Sequence, residues 1–219
     1  MMKRSDKKWW SEASKQDGLR AINCNPNGWS HNRRVYAVRQ EVRTGANILD
    51  IGCGIGLYPF LFQDYASYIG LDFCKEYIDR CNALNLHNAK FALQDLRHLD
   101  LNGQFFDVCV ALGVFSVKGL FETQLDLFMF VRDKLLQSCS KVVATVPLRY
   151  AFTDHEIIEN ELEVFELDKM VKACKEIGVS TNIKFGHLPH EAVVVFSKTV
   201  EFSNEIDVVH ALNSMGRLQ

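Results

Sequence analysis

At 219 residues, with 47% hydrophobic content and a net charge of −2, the chain suits one domain, or one domain with a small extension. No stretch approaches the ~18 uncharged apolar residues of a membrane span, and Met1-Met2-Lys3-Arg4 lacks the apolar segment of a secretory signal. Seven cysteines, none in a C-x-x-C pair, predict reduced thiols in a cytoplasmic protein without a zinc site.

The charge is uneven. Residues 1–43 hold ten Lys/Arg and four Asp/Glu, a net of +6, and the remainder carries −8. Such asymmetry marks either a segment that meets an anion or a solvated helical face. Residues 5–21 read as a helix, with Trp9, Trp10, Ala13 and Leu19 among polar residues. Residues 23–28 are turn chemistry. Ser30 is placed to cap a second helix running to about Arg43, with Val35, Val38 and Val42 on one face. All three tryptophans, Trp9, Trp10 and Trp29, fall in the first 30 residues.

Ile48, Leu49 and Ile51 then form an apolar run too short for a helix and suited to a buried strand. Asp50 stands near its end, followed by Gly52, Gly54 and Gly56, and Cys53 sits inside the glycine string. Glycine is used where the backbone turns tightly or a ligand comes close. Residues 58–64 read as a helix with Pro59 in the first turn. Strand, glycine turn and helix make the mononucleotide-binding corner of a doubly wound α/β sheet. The dinucleotide pattern G-x-G-x-x-G would put its third glycine at position 57, which is Leu57.

Residues 68–72 form a second short strand ending in Asp72, 22 positions after Asp50. An acid at this place accepts hydrogen bonds from both hydroxyls of a ribose; the alternative is an ordinary strand-end turn. Residues 75–84 are amphipathic, with Tyr77, Ile78, Cys81 and Leu84 inward. A third strand over 89–93 is closed by Gln94, Asp95 and Leu96. Residues 105–115 are nearly continuously apolar, as a central parallel strand should be. A helix over 122–136, a strand over 141–146 stopped by Pro147, and a loop over 148–154 follow. Residues 167–177 read as a helix capped by Gly178. Strands over 181–185 and 192–199 are joined by so short a connection that they must be antiparallel. Residues 203–219 carry no clear signal.

The D-x-G-x-G-x-G string from Asp50 to Gly56, with acids at the ends of the second and third strands, resembles class I S-adenosylmethionine-dependent methyltransferases over about residues 45–200. The resemblance implies a seven-stranded, mostly parallel, doubly wound α/β sheet in the order 3-2-1-4-5-7-6 with an antiparallel last strand. It implies three regions: an N-terminal helical extension or lid (1–44), the cofactor-binding domain (45–202) and a tail (203–219). Cofactor contacts fall on Asp50, Gly52, Cys53, Gly54, Gly56, Asp72, Phe73, Asp95, Leu96, Leu112 and Gly113. Asp72 would take the ribose, Phe73 would flank the adenine, and Asp95 with the Leu96 N–H would read its edge. Asp107, at the start of strand four, is structural.

The cofactor carries the reactive methyl, and the protein supplies binding and orientation. A base is needed only for a hydroxyl or a protonated amine. His155 and His187 lie in loops at the ligand-facing edge of the sheet and are the candidate bases, although a loop histidine is commonly just solvated. Trp9, Trp10, Trp29, Tyr36, Phe115, Arg149 and Tyr150 are candidate acceptor contacts. Residues 111–115 lack the proline-bearing motif of base-amine methyltransferases, and no acids follow strands four and five to hold a metal. The expected partner is a small-molecule methyl acceptor. An RNA or tRNA acceptor on the basic, Trp-bearing N-terminus, a SAM-binding protein without catalysis, and a nicotinamide-dependent oxidoreductase stand as alternatives.

Overall fold

Hydrophobic alternation along the central strands builds two cores back to back. In a computed structural model, which describes residues 7–16, 29–62, 64–188 and 190–199, β1 (Asn47–Ile51), β4 (Val108–Ala111) and β5 (Val142–Pro147) are buried along nearly their whole length. Leu49, Ile51, Cys109, Ala111, Val142 and Ala144 point to one face. Ile48, Val108, Val110 and Val143 point to the other. With β2 (Ser67–Asp72), β3 (Ala89–Leu93), β6 (Val179–Leu188) and β7 (Glu191–Lys198), the strands form one seven-stranded sheet in the order β3-β2-β1-β4-β5-β7-β6. Pairing is parallel from β3 across to β5, and β7 runs antiparallel to both β5 and β6. This is the doubly wound order, with the reversed last strand, that the family resemblance implies.

The first face is covered by α4 (Gln124–Phe130) and α7 (Leu167–Glu176) through Leu127, Phe128, Met170 and Cys174. Thr123 and Asp126 close a capping box at the start of α4. The single helix expected over 122–136 is broken: α4 widens into a π turn at Val131–Leu135 before the short α5 (Leu136–Ser138). The second face is covered by α2 (Trp29–Arg39), where Val35 and Val38 are buried and Val42, just beyond its end, packs alongside. α1 (Lys7–Ser14) leans on α3 (Lys75–Ala83): Ser11 donates to Glu76 at 2.6 Å, and Arg80 donates to the Ser14 carbonyl at 2.8 Å.

Three local expectations are corrected. No α-helix follows the glycine turn; Tyr58–Phe60 form one 3₁₀ turn, and the left-handed Asp64 (φ 62°) turns the chain back toward β2. Leu84 is 40% exposed and only partly inward. Beyond the short 3₁₀ turn Arg149–Ala151, the presumed loop continues into α6 (Asp154–Glu159), capped by Thr153 and Glu156. That T-x-x-E pattern was present in the sequence as a helix-start signature. The expected turn at 23–28 and the tail at 203–219 lie outside the described residues.

Asp107 tethers the N-terminal end of the sheet. Its carboxylate accepts from the Asn47 backbone N–H at 2.8 Å and from Arg43, and these bonds hold it below the usual carboxylate range, the Asn47 N–H most strongly. At the same end, burial would raise the Glu41 carboxyl, but bonds from Lys184 and Lys141 outweigh it and bring it below its ordinary value. Both clusters lie away from the ligand-facing edge.

Candidate active site

At the C-terminal edge of the parallel strands lies a cavity of about 410 Å³, within the range of small-molecule sites. Gly52, Cys53 and Gly54 from the turn after β1, Asp72 and Phe73 from the end of β2, and Gln94 to Arg97 after β3 line one half. Leu112 and Gly113 lie beyond β4 at its middle, and Arg34, Ser116, Phe152, Glu156, Asn160, His190 and Glu191 line the other half. Trp10 and Tyr77, which meet edge-on with centroids 6.3 Å apart, also border it.

The glycine turn cannot be built from other residues. Gly52, Gly54 and Gly56 all have positive φ (71°, 54° and 72°). A Cβ on Gly52 would come 2.4 Å from Cγ2 of Val114, a β-branched side chain with little freedom to move. We therefore expect Gly52→Ala to lose about 1–3 kcal/mol in urea unfolding and to weaken ligand binding at the turn.

Asp72 is the most clearly built polar group of this half. It is buried, and its carboxylate accepts from the backbone N–H groups of Gly54 at 3.0 Å and Cys74 at 2.9 Å. Burial raises it to about 6, against the opposing bonds from Cys74, Gly54 and Phe73. Each oxygen keeps acceptor capacity for a hydroxyl. Asp95 caps the 3₁₀ turn Leu96–His98 and takes a bidentate pair from Arg97, at 2.9 and 2.6 Å.

Asp50 stands differently from its sequence expectation. It is fully buried behind the glycine turn and is absent from the cavity lining. Its Oδ2 accepts from the Tyr68 hydroxyl, and its Oδ1 has no hydrogen-bond partner among the described residues. Burial pushes its carboxyl up to about 8; the Tyr68 bond opposes this and the Asp72 charge adds to it. The folded value exceeds the unfolded one, so the stabilisation from the protonated form is full below about pH 4 and is lost as pH rises through about 8. Asp72 titrates lower, near 6. Urea stability should therefore fall between about pH 4 and 8 and level off above it, the stretch above about 6.5 being due to Asp50 rather than Asp72, and Asp50→Asn should flatten that stretch.

Of the other expected residues, Cys53, Leu96, Leu112, Gly113 and Trp10 border the cavity. Gly56 does not; it packs against Cys81 and Leu84. Trp9 touches Trp10 edge-on, with centroids 4.7 Å apart. Phe115 is buried and lines only a minor crevice below the cavity. Tyr36 and Tyr150 are 68% and 73% exposed, and neither they nor Arg149 line the cavity. Arg149 donates to the Phe152 carbonyl at 2.8 Å and to Asp154. His155 is 82% exposed on α6 and pairs with Glu159 at 3.5 Å, away from the cavity. The side chains of Trp29 and His187 lie outside the described residues.

The cavity also holds residues the motifs did not single out. Arg34 reaches from α2 to Glu191 at the start of β7, with Nε donating to Oε2 at 2.9 Å and Nη2 to Oε1 at 2.5 Å. The two lie 157 positions apart, so no local pattern announces the pair. His190 precedes Glu191 and meets Phe152 edge-on at 5.9 Å.

Comparison with known proteins agrees with this architecture. Residues 48–128 match the family model described as a methyltransferase domain. No curated protein matches the chain by sequence. Among solved structures, DhpI in complex with S-adenosylhomocysteine (SAH) is 14% identical, with 89% of this chain and 96% of that chain covered and a TM-score of 0.66. N-methyltransferase NodS from Bradyrhizobium japonicum WM9 with SAH is 13% identical, with 89% and 98% covered and a TM-score of 0.63. Magnesium protoporphyrin IX methyltransferase from Synechocystis PCC 6803 with SAH is 16% identical, with 87% and 93% covered and a TM-score of 0.59.

Residues 48–128 thus resemble a methyltransferase domain, and the chain shares the fold of solved methyltransferases bound to S-adenosylmethionine (SAM) or its product; the cofactor this resemblance implies is SAM. The residues present fit that group. The turn leaves its backbone open, and Asp72 presents a buried carboxylate at the end of β2. Among the described residues, no helix is long and apolar enough to cross a membrane. The described cysteines are free and buried.

Proposed function

We propose that the chain transfers a methyl group to an O, N or C atom of a small molecule held in the half of the cavity beyond Gly113. The cofactor half is the glycine turn with Asp72, Phe73, Asp95 and Leu96, and residues 1–44 act as a cover over residues 45–202. When bound, SAM supplies an electrophilic methyl on a cationic sulfur. The chain's own share is to bind, orient and exclude water, and holding reactants at near-attack distance is worth up to ~7–11 kcal/mol.

The observation that carries the small-molecule reading is the walled second half of the cavity. α2 is fastened over it by the Arg34–Glu191 pair, and Glu156 and Asn160 of the α6 region close another side. The N-terminal charge is also partly paired with carboxylates of the chain. Lys15 pairs with Glu12, Arg34 with Glu191 and Arg43 with Asp107, which weakens the case for a nucleic-acid acceptor. The buried thiols fit a cytoplasmic protein.

The test is calorimetric titration with SAM, SAH and NADH, followed by a labelled-methyl screen of metabolites and tRNA. We expect micromolar binding of SAM and SAH, none of NADH, and label in small molecules. Label in tRNA alone would overturn the acceptor assignment, and NADH binding alone would overturn the methyltransferase reading.

A further inference from the structure

The buried charges in the acceptor half are already matched. Arg34 and Glu191 hold each other in a bidentate pair and are 15% and 6% exposed at their side chains. Glu156 Oε2 accepts from the backbone N–H and hydroxyl of Thr153, both at 2.8 Å. Arg97, toward the cofactor half, is engaged by Asp95. A cationic acceptor seated on the buried pair would have to take Glu191 from Arg34, and an anionic one would have to take Arg34 from Glu191; Glu156 stands at the exposed rim. Either exchange strands a buried charge. Much of the remaining wall is apolar: Val114, Val117, Leu120, Phe152 and Leu162.

One ionisable group of this half is left over. Among the described residues, His190 lines the cavity with only the edge-on Phe152 ring as a side-chain partner. Its backbone is anchored at its own carbonyl and at the residue that follows it. Its carbonyl accepts from the Leu148 N–H at 3.0 Å, and Glu191 beside it is fixed by Arg34. The charged groups lining its half of the cavity are Arg34 and Glu191 from α2 and β7 and Glu156 from α6. Imidazole is the side chain suited to exchange a proton near neutrality.

Resting on the methyltransferase reading above, we propose that His190 is the general base for methylation of a hydroxyl group on an uncharged, largely apolar acceptor. The acceptor oxygen gives its proton to the imidazole as its lone pair forms the new O–CH₃ bond. The bond from that carbon to the cationic sulfur breaks, and its electron pair stays on sulfur. The products are an ether, a neutral thioether and an imidazolium that returns its proton to water.

Two measurements test this on the full chain. In the first, para-nitrophenol, whose colour reports its ionisation, is titrated into the SAH-loaded protein. We expect the bound dye to shift toward the phenolate in the parent and to stay a phenol in His190→Ala. In the second, labelled methyl transfer is compared across neutral phenols and alcohols, amines, and carboxylates. We expect transfer to hydroxyls, lowered about 10²–10⁴-fold in His190→Ala with SAM affinity unchanged. His190→Gln serves where the alanine variant does not fold, and intact SAM binding certifies either one. Transfer to amines or carboxylates but not hydroxyls, an unaltered dye spectrum in the variants, or a loaded parent that binds no dye would each overturn the proposal. A parent that binds no SAM would instead overturn the methyltransferase reading on which it rests.

Discussion

Asp72→Ala should lower SAM affinity by about 10²–10⁴-fold in calorimetric titration. Two hydroxyl donors on one buried carboxylate are worth about 1.5–3 kcal/mol each, and every 1.4 kcal/mol is about tenfold. The same carboxylate also accepts from Gly54 and Cys74, so its loss loosens the glycine turn as well. Asp72→Asn keeps one acceptor oxygen and should fall between the parent and the alanine variant. The affinity should also depend on pH. The carboxyl sits at about 6 in the free protein, so SAM binding should weaken as pH falls through about 6 and level off above it. Unchanged binding in Asp72→Ala would remove the ribose assignment.

Arg34→Ala should be the most destabilising of the single substitutions considered. It leaves the Glu191 carboxylate, 6% exposed at its side chain, inside the protein without its bidentate partner. Breaking a buried pair in this way costs about 3–5 kcal/mol, or roughly 6–20 °C in melting temperature for a chain of this size. The double variant Arg34→Ala/Glu191→Ala should recover part of that loss, because no buried charge is then stranded. If the double variant is worse than the single by the full cost of a second deletion, the two side chains act independently. The pair also fastens the N-terminal extension to the sheet. Loss of stability should therefore come with easier proteolysis around α2, which limited digestion followed by mass spectrometry would detect.

These two residues also mark how far the linear chain could be read. Asp72 was found because a short apolar strand, an acid at its end and a glycine turn about 20 residues earlier are all local features. The sheet order came with the family resemblance, and two local features agree with it. Continuous apolar runs at β4 and β5 demand burial on both faces, and the short connection between β6 and β7 forces antiparallel pairing. Where the structure departs from local expectation, the cause is also local: Pro59 and the left-handed Asp64 stop the expected helix at one turn, and the Thr153–Glu156 capping box begins a helix in an expected loop.

The acceptor half was not legible in the same way. Arg34 and Glu191 are 157 positions apart, and nothing near either one predicts that α2 will lie across the start of β7. Among the loop histidines, His155 is an expected base and His190 is not. Folding turned the first outward on α6 to meet Glu159 and placed the second against Phe152 in the cavity wall. Asp50 carries the same residue type as Asp72 and sits in an equally recognisable motif. The packing of Tyr68 against it put it behind the wall rather than in it. Strand, turn and cofactor signature depend on neighbours within a few positions, which the linear order preserves. Which side chain faces the acceptor depends on how helices cross the sheet, and that is set by packing between residues far apart in the chain.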